Sequence, residues 1–269
     1  MAGLPSRLRA LDPRRDSESG PATGTRTNAA SETAQEFYGR WARLYDLVAR
    51  RTPGIPALRR RAAAACRLEP GDTVVEMGCG TGANLPYLRE RVGPEGTVIG
   101  IDFTGPVLER ARELTAEYDN VHVVRGDATR PPLGALEDDP DAEDAPADGV
   151  PADEAAVDAL LATFVVGMLE DPAGAVDDWC DLVGPGGHVV LADAASSREW
   201  YAPPVNALFR AIVVLSTPPT TKLRYERDPH RRLDEKITDA HARLRERSTA
   251  VADESHVFGV VRLTGGRLE

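Results

Sequence analysis

In the stretch "VVEMGCGTGANL", residues 74–85, three glycines stand at alternate positions, Gly78, Gly80 and Gly82, shortly after Glu76. Glycines that follow an apolar strand and open a helix leave the backbone bare, so peptide N–H groups can approach a ligand. Taken literally, Gly78, Gly80 and Ala83 also satisfy the dinucleotide pattern G-x-G-x-x-[GA]. The glycines alone therefore leave several nucleotide ligands open. The acids discriminate between them. Glu76 ends the first strand, Asp102 ends a second in "VIGID", and Asp127 follows a third in "VVRGDA". An unpaired carboxylate beside the turn repels a pyrophosphate and favours a ligand carrying positive charge. Three acids at successive strand ends share one sheet edge, where open α/β folds bind their ligands.

The elements that must position these residues follow from periodicity. Short apolar strands are expected at Thr73–Met77, Thr97–Ile101, Val121–Arg125, Val157–Thr163 and Gly187–Ala192. Helices are expected between them, over Gly82–Arg91, along the face Val107, Ala111, Leu114 and Tyr118, and over Pro172–Leu182. Strands with little polar alternation, separated by helices, predict a parallel sheet covered on both faces. The end, "STAVADESHVFGVVRLTG", predicts two antiparallel edge strands turning around Asp253-Glu254-Ser255. Residues 1–30 predict a flexible tail, and 31–269 the folded domain. Within that domain, 31–70 predicts N-terminal helices over the active site. Residues 133–156 predict an acidic insertion loop, its segment "LEDDPDAEDAPADGVPADE" holding nine acids and no base. Residues 196–248 predict a helical segment on the acceptor side, including the apolar helix Val205–Ser216.

Composition narrows the setting. The 269 residues carry a formal charge of −11, and only Lys222 and Lys236 among the 32 basic residues are lysine. Such a balance suits a halophilic, salt-rich cytoplasm, where carboxylates keep a surface hydrated. It argues against a nucleic-acid partner, which needs a basic face. Cys66, Cys79 and Cys180 show no disulfide or zinc spacing, and no metal site is expected. The start lacks the apolar stretch of a secretory signal, and no run is long enough to span a membrane. A cytoplasmic protein is expected, without a membrane span and open to peripheral membrane contact. No motif speaks to the oligomeric state.

The stretch from Thr73 to about Asp193 resembles the class I S-adenosylmethionine-dependent methyltransferases. The matching pieces are "VVEMGCGTG", "VIGID", "VVRGDA", "VDALLATFVVGML" and "LVGPGGHVVLADA". The resemblance implies a Rossmann-like, doubly wound α/β sheet of seven strands, the last antiparallel, with helices on both faces. It implies S-adenosyl-L-methionine as cofactor, whose sulfonium and ammonium are positive and which has no phosphate. Carried over by position, Glu76, Gly78, Cys79, Gly80 and Gly82 surround its methionine end. Asp102 holds the ribose, Phe103 flanks the adenine, Asp127 and Ala128 read the adenine edge, and Thr163 lines the methyl-donor side. Cys79 reads as a small residue in a tight turn. Asp102 can also serve simply as a cap for the helix that follows.

The acceptor is less sharply written. "RWARLYDLVARRTPGIPALRRRAA" resembles the quinone-biosynthesis methyltransferases of the ubiquinone/menaquinone group and related phospholipid methyltransferases, with Tyr45-Asp46 in the place of their tyrosine-aspartate pair. Their asparagine and histidine in the following loop are absent. Tyr38, Trp41 and Tyr45 are candidates to face the cofactor and acceptor, where an aromatic wall attracts a sulfonium. Phe37, Trp41, Leu44 and Val48 also fit a core stripe. No histidine is singled out as a general base. "TFVVG" stands where amino methyltransferases of nucleic acids carry a Pro-Pro-Tyr motif, and the three thiols are too dispersed for arsenite. The expected function is methyl transfer to a small, lipophilic, quinone-like or lipid acceptor. The alternatives are an NAD(P)-dependent oxidoreductase and a non-catalytic domain that binds S-adenosylmethionine.

Overall fold

A computed structural model of the chain describes residues 54–133, 156–216 and 229–269. The expected tail, Tyr38, Trp41, Tyr45 and nearly all of the acidic loop lie outside the described residues. In chain order the elements are α1 (Ile55–Ala65), β1 (Thr73–Met77), α2 (Leu85–Val92), β2 (Thr97–Asp102), α3 (Gly105–Thr115), β3 (Val121–Arg125) and β4 (Ala159–Thr163). A 3₁₀ turn (Val166–Met168) follows, then α4 (Pro172–Val183), β5 (His188–Ala194), α5 (Ala202–Ser216), α6 (Pro229–Glu246), β6 (Ser248–His256) and β7 (Val261–Leu268).

The strands form one seven-stranded sheet in the order β3-β2-β1-β4-β5-β7-β6. The first five are parallel, and β7 runs antiparallel to both β5 and β6. All five residues of β1, "TVVEM", are buried, as a central parallel strand covered on both faces requires. Two apolar layers do the covering. Leu58 and Ala62 of α1, Leu85 and Leu88 of α2 and Leu108 of α3 pack on one face. Val176 and Trp179 of α4, with Ile237 and Leu244 of α6, pack on the other. The order reverses between β1 and β4, and a crevice opens there at the strands' C-terminal ends.

Local chemistry sets the ends of the elements. Asp171 caps α4 by accepting from Gly174 N at 3.0 Å, and Pro172 takes the first turn, where its missing N–H costs nothing. The helix expected to reach Tyr118 ends at Thr115. Tyr118 instead lies under the Arg89 guanidinium, 5.1 Å from its ring centroid. The terminal hairpin also differs from expectation. Asp253, Glu254 and Ser255 do not turn; they pair with Thr264, Leu263 and Arg262. The turn comes at 257–260, where Val257, Phe258 and Gly259 all have positive φ. Arg245 grips Asp253 at 2.7 and 3.0 Å, and that clamp holds in strand geometry a segment whose composition favours a turn.

Candidate functional site

The glycine turn after β1 is shaped by what presses on it. Gly78 has φ +67, and a Cβ there would lie 2.6 Å from Val165 Cγ2. Gly80 has φ +54 with nothing within 4 Å of a Cβ, so its exposed edge is open space. Gly82 departs from expectation. A Cβ on it would meet Ala111 of α3 at 3.0 Å, so it serves close helix packing and does not floor the cavity. A cavity of about 120 Å³ sits over the rest of the turn. Gly78, Cys79, Gly80, Ala83 and Asn84 form its base, Thr163 and Phe164 one side, and Leu58, Arg59 and Ala62 of α1 its roof.

Behind this base lies a buried polar cluster. Asn84 Nδ2 donates to Glu76 Oε1 at 2.5 Å and to Thr163 Oγ1 at 2.9 Å. Arg59 Nη1 reaches Asn84 Oδ1 at 3.5 Å. Glu76 is fully buried, and its Oε2 has no hydrogen-bond partner among the described residues. Burial pushes its carboxyl up to about 8, against the pull of Asn84's hydrogen bond and the Arg59 charge. Cys79 is buried too, and desolvation, then the Glu76 and Asp102 charges, drive its thiol well above the ordinary range. Burial and a raised thiol both disfavour the thiolate that a nucleophile needs.

The acids of the other two strand ends stand apart from the cavity. Asp102 Oδ2 accepts from Gly80 N at 3.0 Å and Oδ1 from Thr104 N at 2.8 Å. It thus ties the glycine turn to the start of α3, and each oxygen keeps a further lone pair. Phe103 is 54% exposed beside it. Asp127 is exposed, and its Oδ1 accepts from both Thr129 N and Thr129 Oγ1 at 2.8 Å. Ala128 is anchored from below, its carbonyl accepting from Trp179 Nε1 at 2.7 Å. Glu76, Gly78, Cys79, Gly80 and Thr163 are thus brought together, while Asp102, Phe103, Asp127 and Ala128 follow along the same sheet edge.

Sequence reasoning missed Arg59 and Asn84. Both lie in stretches quoted above, Asn84 just after the glycine turn and Arg59 in the basic run "ALRRRAA", but no spacing singles them out, and the placement of α1 over the turn brings them together. Together the cavity offers a cation in Arg59, a glycine turn that lets a ligand approach the backbone, and a buried carboxyl with an orphaned oxygen behind Asn84 and Thr163. That donor set fits a small zwitterion, an ammonium with a carboxylate, such as the methionine end of S-adenosylmethionine. A diphosphate fits it less well, because an anion here drives Glu76 further toward its neutral form, whereas an ammonium favours the carboxylate. Among the described residues no group of three His, Cys, Asp or Glu side chains could hold a metal.

Comparison with known proteins bears on the family and the fold. A family model described as a methyltransferase domain matches residues 47–249. An arsenite methyltransferase of Halobacterium salinarum is 29% identical over 139 residues, which is 51% of this chain and 31% of that protein. A demethylmenaquinone methyltransferase of Staphylococcus aureus is 39% identical over 75 residues, 28% of this chain and 31% of that protein. The chain thus spans about a third of the length of these curated relatives. Among solved structures, an O-methyltransferase family protein from Burkholderia thailandensis superposes with a TM-score of 0.53 at 15% identity, over 90% of this chain and 61% of that one. An S-adenosylmethionine-dependent O-methyltransferase from Thermotoga maritima gives 0.50 at 13%, over 80% and 66%. These likenesses speak to the fold, and the family match over most of the chain sets the nicotinamide alternative aside. With its glycine turn, strand-end acids and reversed β7, the chain belongs to the methyltransferase-domain family.

Proposed function

We propose that this chain transfers a methyl group from S-adenosyl-L-methionine to a small, lipophilic acceptor of the quinone or lipid kind. The observation that carries the cofactor half is the Glu76 carboxylate, buried beneath the cavity base with one oxygen unpartnered. When bound, the cofactor supplies a methyl on a sulfonium, already a good leaving group. The protein's part is then alignment and exclusion of water. In this reading Glu76, through Asn84 and Thr163, favours the ammonium, and Arg59 holds the carboxylate. The N–H of Gly80 is already bound to Asp102, which fixes the turn while leaving the carboxylate free lone pairs for ribose hydroxyls. Asp127 and Ala128 take the adenine edge, and Phe103 covers its face. The same reading assigns Tyr45 to the cofactor and Tyr38 and Trp41 to the acceptor side, all three outside the described residues.

The acceptor half rests on apolar surface. Ile55, Leu58, Ala62, Val107, Phe164 and Ala192 give the cavity an apolar stretch of wall. The demethylmenaquinone relative supports a lipophilic substrate; the arsenite relative supports it less, because all three thiols here are buried and unpaired. Among the described residues no helix is long and apolar enough to cross a membrane. Trp200 at 90%, Leu208 at 66% and Phe258 at 71% exposure follow or flank the C-terminal end of β5, which suits peripheral contact with a lipid surface. The acidic, lysine-poor composition suits a salt-rich cytoplasm.

Incubation with methyl-labelled cofactor and a lipid and quinone extract tests the reading. Label in the organic phase, dependent on the protein, is the expected result. Binding of S-adenosylhomocysteine with no labelled product from lipids, quinones or other small molecules would favour a non-catalytic binding domain.

A further inference from the structure

A second buried polar cluster lies outside the cavity, where β5, β7 and α6 meet. His241 of α6 is 1% exposed, Asp193 of β5 1% and Thr264 of β7 fully buried. His241 Nε2 lies 3.3 Å from Asp193 Oδ2, and Nδ1 lies 2.7 Å from Thr264 Oγ1. Asp193 in turn accepts the backbone N–H groups of Val165 and Val166, the residues that follow β4. Burial raises its carboxyl, against the pull of His241.

The proton count across this cluster is fixed by its outer end. Thr264 Oγ1 donates its single proton to Asp253 Oδ1 at 2.6 Å, and Arg245 holds that carboxyl ionised with two hydrogen bonds. Thr264 Oγ1 therefore accepts from His241 Nδ1–H. One further proton on the Nε2–Oδ2 line makes the His241–Asp193 contact attractive. It is either an imidazolium beside a carboxylate or an imidazole beside a carboxylic acid. Without it two lone pairs would face each other in the core.

This cluster reaches the cavity through one short segment. Val165, whose N–H Asp193 accepts, presses its side chain on Gly78, the first glycine of the cofactor turn. Its neighbour Phe164 lines the cavity and has φ +59, a conformation that costs a bulky side chain energy and must be held by its surroundings. Helix α6 grips the same segment twice more. Lys236 donates to the Leu169 carbonyl, and Leu233 packs where Gly167 has no side chain.

We infer that His241 and Asp193 are positioning residues, which hold the Phe164–Val166 segment against the glycine turn and so set the shape of the cofactor cavity from the far side of the sheet. The inference rests on the proposed function for its ligand, but its first readout does not. Hydrogen exchange on the whole chain reads the Val165 and Val166 amides directly. In His241→Ala their exchange is expected to speed up about tenfold, the scale of losing one charge-assisted hydrogen bond. S-adenosylhomocysteine should bind about tenfold more weakly, by the same reasoning.

Two further variants separate positioning from mere packing. His241→Gln places an amide N–H near the Nε2 position and restores the Asp193 bond. His241→Asn reaches only toward Thr264. Glutamine is expected to recover both amide protection and affinity, and asparagine neither. This comparison stands even if the alanine variant fails to fold. Unchanged exchange in a folded alanine variant, or equal behaviour of the glutamine and asparagine variants, overturns the inference. Faster exchange with unchanged affinity also overturns it, because the segment would then not shape the site. A wild-type chain that binds no S-adenosylhomocysteine would instead overturn the proposed function, leaving the exchange result to judge the positioning alone.

Discussion

Asn84 Nδ2 donates to Glu76 Oε1 at 2.5 Å, a hydrogen bond to a fully buried carboxyl beneath the cavity base. The other carboxylate oxygen, Oε2, meets no partner among the described residues. With its carboxyl pushed to about 8 by burial, Glu76 is mostly neutral near pH 7 when no ligand ammonium is bound. An ammonium bound nearby favours the ionised form. Binding of S-adenosylmethionine at pH 7 should therefore release up to about one proton, by linkage. Calorimetry in buffers of different ionisation enthalpy measures this directly. Glu76→Gln should abolish the release and weaken binding; a wild type that releases none would disconnect Glu76 from the ligand's charge.

The same shift predicts a pH dependence of stability. The folded value lies above the ordinary 4.5, so the contribution is fully present below about 4.5 and is lost as pH rises through about 8. Melting temperature without cofactor should fall across this window more steeply in the wild type than in Glu76→Gln. Saturating cofactor should flatten the wild-type slope. Parallel slopes in the two proteins would count against a buried, protonated Glu76.

Gly78 and Gly80 look alike in sequence and should respond differently to alanine. Both have positive φ, at a cost of about 1–2 kcal/mol for an L-residue. At Gly78 a Cβ also drives into Val165, adding overpacking of about 1–3 kcal/mol. At Gly80 it meets nothing, so strain alone remains. Urea titration should show the Gly78 variant less stable than the Gly80 variant. Equal losses would mean that Val165 gives way freely.

Much of this was legible because parallel-sheet physics leaves a plain trace. "TVVEM" had to be central, since an apolar run that short, ended by glycines, has no solvent face to serve. Glu76, the glycine turn and the strand-end acids followed from the chain order. Arg59 and Asn84 were not legible, because their value comes from α1 lying over the turn, a contact across 25 residues. Gly82 shared the spacing of its neighbours yet packs on Ala111, which spacing cannot show. The hairpin was misplaced because Asp253-Glu254-Ser255 has the composition of a turn. The pairing of Ala194 with Val261 and of Asp193 with Arg262 carries β7 back to the end of β5, and the turn falls on the unpromising Val257-Phe258.

Asp102 carries two duties, and substitution should separate them. Asp102→Ala removes the acceptor for Gly80 N and Thr104 N together with any bond to a ribose. Cofactor affinity should fall by about 1.5–3 kcal/mol, the range for hydrogen bonds to a charged group. Asp102→Asn keeps one acceptor oxygen and should lose less. Titration with S-adenosylhomocysteine, with circular dichroism to confirm folding, gives both values. An unchanged dissociation constant in the folded alanine variant would reduce Asp102 to a backbone tie.

Trp179 extends the argument to the adenine end. Its ring is fully buried in α4, and its Nε1 is the donor that fixes the Ala128 carbonyl. Ala128 sits in the turn after β3, so the indole anchors from below the backbone expected to read the adenine edge. Trp179→Phe removes that donor and leaves a gap, which should cost about 2–4 kcal/mol of stability. Adenosine and S-adenosylhomocysteine should then lose affinity by a similar factor, because the damage lies on the part they share. Methionine, which lacks that part, should compete as it does with the wild type. A loss confined to methionine would place the adenine elsewhere on the sheet edge.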